Sequence, residues 1–235
     1  MTLRHGLWLY CDSSDVIHVE RSIPTLTRCA AVGALAMVEG ITPGGAQRMP
    51  LDRVRRFVDA CRARDITPVL CAFPDIHGDL IASRDHLAEM GETLRCAMQL
   101  DAEPRAGHHW TPEMLAPWLS IHELTLTTTR VEAPHLGAHN RIVFAQLEQQ
   151  TSTATLAQAL GIFGRYSPRE NIVPVIGAFD QGDDKRTLDE MRVDLTRCAD
   201  QAKLAGALAV WSAHVVSGDE ADLLRAWALA TWAPP

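Results

Sequence analysis

The stretch with the clearest chemical potential is Met98-Gln-Leu-Asp-Ala-Glu-Pro104. It reads as an apolar strand that runs into two carboxylates and a proline. Side chains alternate along a strand, so Gln99, Asp101 and Glu103 share one face, and Met98, Leu100 and Ala102 share the other. Two acids on one face at the end of an apolar run are costly unless they meet water or a site. Crowded carboxyls also keep a proton to higher pH, so such a pair divides into an acid and a carboxylate. The alternative use of the same residues is a strand ending in a solvated acidic loop. Pro104 lacks an N–H and suits a strand end.

Such a pair needs a scaffold, and the chain supplies a regular one. Apolar strand-like runs fall at Leu7–Cys11, Ala34–Val38, Thr67–Ala72, the run ending at Glu103, Ile121–Thr127, Ile142–Gln146, Asn171–Gly177 and Ala207–Trp211. Helical stretches alternate with them. They run from about Ile23 to Val32, from Leu51 to Arg64, from Ser83 (the expected cap) to Ala97, and from Thr111 through a short helix. They continue with a weak crossover at 132–139, then Thr153–Phe163, Leu188–Leu204 and Asp219–Thr231. Strand then helix, repeated, means parallel strands with right-handed crossovers. Eight units in 235 residues predict an α/β fold, a single-domain (β/α)8 barrel over residues 1–235. No Gly-x-Gly-x-x-Gly follows the first strand and no Walker-type loop occurs, which argues against an open nucleotide-binding sheet.

In such a barrel the residues just past each strand share one face, where active sites lie. They are Asp12, Glu39, Asp75, Asp101 with Glu103, Thr127, Gln146 with Glu148, Asp180 with Gln181, and Trp211 with His214. The set is acidic and amide-rich with one aromatic, and lacks a basic cluster for phosphate. Carboxylates and amides hold sugar hydroxyls, an aromatic ring lies against a sugar face, and glycosidic cleavage needs one protonated carboxyl beside a second carboxylate. Glu103 is the expected general acid, with Asp101 and Asp12 as its catalytic partners. Glu39, Gln146, Asp180, Trp211 and His214 are the expected substrate contacts. Each of these also has a plainer use as a cap, loop or core residue.

Four short segments resemble one enzyme family. Leu100-Asp101-Ala102-Glu103 resembles the Leu-Asp-x-Glu motif of the lysozyme-like barrels of glycoside hydrolase family 25, and more distantly the end of the acidic motif of chitinase-like family 18. Asp12-Ser-Ser, Val38-Glu39-Gly40 and Val210-Trp211-Ser212 are similar to the ends of its first, second and last strands. The resemblance implies a barrel that cleaves peptidoglycan between N-acetylmuramic acid and N-acetylglucosamine, with Glu103 as proton donor. Two departures stand out: Ala97-Met98-Gln99 replaces the upstream acids of the chitinase-like signature, and only Tyr10 and Tyr166 are available for an aromatic cleft.

Composition bounds the alternatives. A net charge of −7 excludes a general nucleic-acid binder. No apolar run reaches the length of about 18 residues needed for membrane insertion. The run Gly6–Cys11 is too short for a signal peptide, so the expected location is cytoplasmic. Six cysteines without a C-x-x-C pair read as buried free thiols. His135-x-x-x-His139 lacks the glutamate of a zinc-protease helix, so neither metal nor cofactor is expected. The function expected is hydrolysis of an N-acetylated amino-sugar polymer, peptidoglycan being the named candidate. Two rivals are a metal-dependent barrel isomerase or hydrolase of a small sugar-like substrate, and a carbohydrate-binding barrel without catalysis.

Overall fold

The computed structural model describes residues 3–42, 45–104, 108–129, 133, 136, 141–146, 153–178 and 187–232. Eight parallel strands close on themselves: β1 (Gly6–Cys11), β2 (Gly33–Thr42), β4 (Thr67–Ala72), β5 (Ala97–Ala102), β6 (Thr125–Thr129), β7 (Val143–Gln146), β8 (Ile172–Gly177) and β9 (Ala207–Trp211). β1 pairs with both β2 and β9, which closes the ring. A short strand, β3 (Gly45–Arg48), folds back antiparallel on β2, with Glu39 opposite Arg48. The fold is the single-domain (β/α)8 barrel that the alternation of runs predicts.

The helices are α1 (Ser13–Ile17), α2 (Val19–Arg28), α3 (Leu51–Arg62), α4 (Leu80–Leu94), α5 (Pro112–Leu119), α6 (Thr153–Phe163), α7 (Leu188–Ala205) and α8 (Gly218–Trp232). None among the described residues is long and apolar enough to cross a membrane. Local chemistry sets their ends. Thr111 accepts from the Met114 N–H to cap α5, and Thr187 forms a reciprocal capping box with Glu190 on α7. α7 stops at Gly206, whose φ of 73° is the left-handed conformation glycine adopts without strain.

Three expectations shift. α4 starts at Asp79, whose carboxylate accepts from the Ala82 N–H at 2.9 Å; Ser83 is buried inside the helix instead of capping it. α2 begins at Val19 and carries Pro24 in its interior, not in its first turn. The fifth barrel strand begins at Thr125 because Ile121 closes a turn on the Trp118 carbonyl and Glu123 takes a φ of 56°. The crossover expected at 132–139 lies, apart from Ala133 and Leu136, outside the described residues.

Strand alternation sorts the core into two layers. Leu7, Leu9 and Cys11 of β1 face the helices, whereas Trp8 and Tyr10 fill the barrel with Leu35, Met37, Val69, Cys71, Phe144, Val173 and Val175. Trp8 and Tyr10 each meet Phe144 edge-on, at 6.4 Å between centroids. Gly33 is needed beneath Trp8: a Cβ there would lie 2.1 Å from the indole ring. Above these apolar residues the interior turns polar, beginning with Gln99, Asp101, Thr125 and Thr127, all buried.

Candidate active site at the carboxyl ends of the strands

β5 delivers its carboxyls as its alternation dictates. Met98, Leu100 and Ala102 pack outward into the helix-facing core. Gln99 faces its strand neighbours inside the barrel: its Oε1 accepts from the Cys71 thiol at 3.4 Å and its Nε2 reaches the Thr125 hydroxyl at 3.3 Å. One pleat further along is Asp101, 1% exposed, and one more is Glu103, half-buried at the mouth. Gln146, at the end of β7, spans the gap over β6. Its Nε2 donates to Glu103 Oε1 at 2.5 Å and to Asp101 Oδ1 at 3.4 Å. The Trp110 indole N–H donates to the Glu103 carbonyl at 3.2 Å and anchors the backbone as it leaves the strand.

This environment separates Glu103 from an ordinary surface glutamate. Burial pushes its carboxyl above the usual range, and the hydrogen bond from Gln146 pulls the other way. The Cys71 thiol beneath is pushed well up, first by burial and then by the charges of Asp101 and Glu103. A carboxyl that holds its proton longer than usual, beside a second buried carboxyl, is the arrangement of a general acid and its partner.

A second group gathers where β1 and β9 end side by side. Asp12 and Asp15 cap each other's backbone around the start of α1: the Asp15 N–H donates to Asp12 Oδ1 at 3.0 Å, and the Asp12 N–H donates to Asp15 Oδ2 at 3.1 Å. His214 approaches from beyond β9, with Nδ1 2.9 Å from Asp12 Oδ2 and 3.8 Å from Asp15 Oδ2. Asp15 is 3% exposed, and its pKa rises to about 6, through burial first and the Asp12 charge second; His214 opposes both. Ser212 Oγ lies 2.6 Å from the same Nδ1. Serine and aspartate thus share one ring nitrogen, which is not the geometry of a nucleophilic triad, where they take opposite nitrogens. The ligand atoms of Asp12, Asp15 and His214 lie within 4.8 Å of one another, close enough to hold a cation.

The expected residues therefore divide. Asp101, Glu103 and Gln146 form one cluster; Asp12 and His214 form another, joined by Asp15. Trp211 lines the barrel mouth beside Tyr10, ring centroids 4.8 Å apart, and keeps part of its surface exposed. Asp180, with Glu148 and Gln181, lies outside the described residues. Glu39 is placed differently from its expected position in the cleft. A bulge between Met37 and Glu39 shifts the register of β2, so Glu39 pairs with outward-facing Ala72. Its carboxylate is 0% exposed, accepts from the Ser83 hydroxyl, and meets Arg48 Nε at 3.1 Å. It ties β2 to β3 and α4 and has no open path to a ligand.

Reasoning from strand ends missed Asp15, Arg48 and Ser83. For Asp15 a signal was present: Asp-x-x-Asp after a strand is the spacing of a reciprocal helix cap.

No protein-family model and no curated protein sequence matches this chain. Solved structures do. Active domain 2 of a chitinase from Pyrococcus furiosus, solved as catalytic-site mutants, superposes with a TM-score of 0.68 at 10% identity, covering 100% of this chain and 98% of its own. A GH113 β-1,4-mannanase gives 0.65 at 10% identity, covering 97% and 99%. The spore cortex-lytic enzyme SleL of Bacillus cereus gives 0.62 at 9% identity, covering 95% and 74%. At such identities the likeness is one of fold.

Proposed function

We propose that this chain is a glycoside hydrolase that cleaves an N-acetylated amino-sugar polymer, with Glu103 as the proton donor. One observation carries the reading. Asp101 and Glu103 project from the same face of β5 into the polar mouth of the barrel, bridged by Gln146, and burial holds the Glu103 proton above the ordinary range. Half-buried Glu103 protonates the departing glycosidic oxygen. Asp101, 1% exposed, is too deep to attack a sugar carbon. It steadies positive charge and orients groups above it, and the nucleophile in this reading is the substrate's own N-acetyl oxygen. Trp211 supplies an apolar surface for a sugar face. The names of the similarly folded proteins, a chitinase, a mannanase and a spore cortex-lytic enzyme, support carbohydrate as the substrate class. Chitin and peptidoglycan both carry the required N-acetyl group.

The test is release of new reducing ends from chitin oligosaccharides and from purified peptidoglycan. Release from either supports the reading and names the polymer; binding without release favours a carbohydrate-binding barrel. The Asp12, Asp15 and His214 group favours one other reading, a metal-dependent barrel enzyme. A chelator that abolishes turnover selects it.

A further inference from the structure

Gln146 ends β7, whereas Asp101 lies in β5 and Glu103 directly follows that strand, with the whole of β6 between. Its Nε2 carries two hydrogens. Both are directed at carboxyl oxygens, Glu103 Oε1 at 2.5 Å and Asp101 Oδ1 at 3.4 Å. We propose that Gln146 is a positioning residue: it clamps Asp101 and Glu103 in one attitude and can stay bonded to Glu103 whether or not that carboxyl carries its proton. The role of Glu103 as acid rests on the function proposed above; the clamp itself does not.

The residue type is the argument. A general acid must lose its proton and regain it in each cycle. An amide serves both forms. Its NH2 donates to Oε1 when the carboxyl is ionised and equally when the proton sits on Oε2, so the bond to Asp101 is kept in both forms. An arginine in this position would favour the ionised form through its charge and would hold the proton off. A methionine would bond neither. Among the described residues, the groups that face Glu103 are Asp101 just before it in the chain, Gln146 from β7, and the Cys71 thiol from β4, which senses both acids. Trp110 donates to the Glu103 backbone and leaves the carboxyl to Gln146.

Two variants test the clamp, Gln146→Met and Gln146→Glu. Methionine keeps the length and loses the hydrogen bonds, and glutamate keeps the shape but adds a third carboxyl. Two readouts are needed. The first is a carbon-13 carboxyl NMR titration of the unliganded protein, with the Glu103 signal assigned by its loss in Glu103→Gln. The second is the pH profile of kcat and KM. In Gln146→Met the Glu103 midpoint moves upward, and the basic limb of the activity profile moves with it. Its kcat falls about tenfold, the equivalent of one lost charge-assisted hydrogen bond, while KM changes little. In Gln146→Glu the midpoint moves further up, because like charges cannot both ionise at contact distance. If Gln146→Met does not fold, Gln146→Glu is read alone. A Glu103 midpoint equal to wild type, in either variant that melts like wild type, overturns the proposal. A shifted midpoint in a protein that releases no reducing ends from any polymer upholds the clamp and refutes the glycosidase reading, so the two failures are distinct.

Discussion

Removing the Arg48 side chain tests whether Glu39 is a structural acid. Glu39 is 0% exposed and Arg48 39%, so the pair is buried at one end and wet at the other. Breaking a fully buried pair typically costs about 3–5 kcal/mol, because the surviving charge is left without compensation. Solvent screening of the exposed guanidinium reduces this, and the Ser83 hydroxyl continues to donate to Glu39, so Arg48→Ala is expected to cost about 2–3 kcal/mol. In a chain of this size that lowers Tm by roughly 4–12 °C. The assay is denaturant unfolding of wild type, Arg48→Ala, Glu39→Gln and the double variant. The double variant should be more stable than Arg48→Ala alone, since a neutral amide needs no counter-ion. A loss under about 0.5 kcal/mol in Arg48→Ala, the range of an ordinary surface change, would refute the reasoning and return Glu39 to the list of groups free to meet a ligand.

Two further outcomes follow from buried titrating groups. Asp15 has a pKa of about 6 in the fold against 3.8 ordinarily, so the folded state binds the extra proton between these values. Stability contributed at this site is therefore present near pH 4, falls as pH rises toward 6, and is gone above it. Asp15→Asn should flatten that slope and be the more stable protein at pH 7; an unchanged slope in a urea series from pH 4 to 7 contradicts the burial of Asp15. All six cysteines are buried and none is in a disulfide. Burial pushes Cys29 and Cys61 up to about 12 and Cys96 to about 11. At pH 8 the native protein should show no rapidly reacting thiol in a disulfide-exchange assay, and six after unfolding. Fast native reactivity would show that the core around these thiols is open.

The barrel was legible because its signal is periodic and repeated. Eight apolar runs at regular spacing survive errors at their ends, and β6 starting at Thr125 in place of Ile121 changes nothing in the topology. The β5 carboxyls were legible for the same reason: a period of two places Asp101 and Glu103 on one face without knowledge of any partner. Glu39 turns away from the barrel mouth because that period fails at a bulge. One extra residue moves a side chain to the other face, and Gly40 inside the strand is the local mark of such a bulge. Ser83 does not cap because Asp79, four positions earlier, caps the Ala82 N–H and starts the helix there, so the N–H groups beyond Ser83 are bonded within it. β3 is too short to show alternation in the sequence. Gln146 was read as a substrate contact from its place at a strand end; that its amide is taken up by two acids from another strand is a tertiary fact. Asp180 lies outside the described residues, and its place in the site rests on its position after β8 in the sequence.

In the proposed function Glu103 donates the proton that breaks a glycosidic bond. The most direct measurement is reducing-end release by wild type and Glu103→Gln, matched for melting behaviour, on whichever N-acetylated polymer the wild type cleaves. The variant is expected to lose about a hundredfold or more, the contribution of a positioned general acid, with no effect of chelator on the wild type. Equal release by the two proteins, or release that stops with chelator, would contradict it.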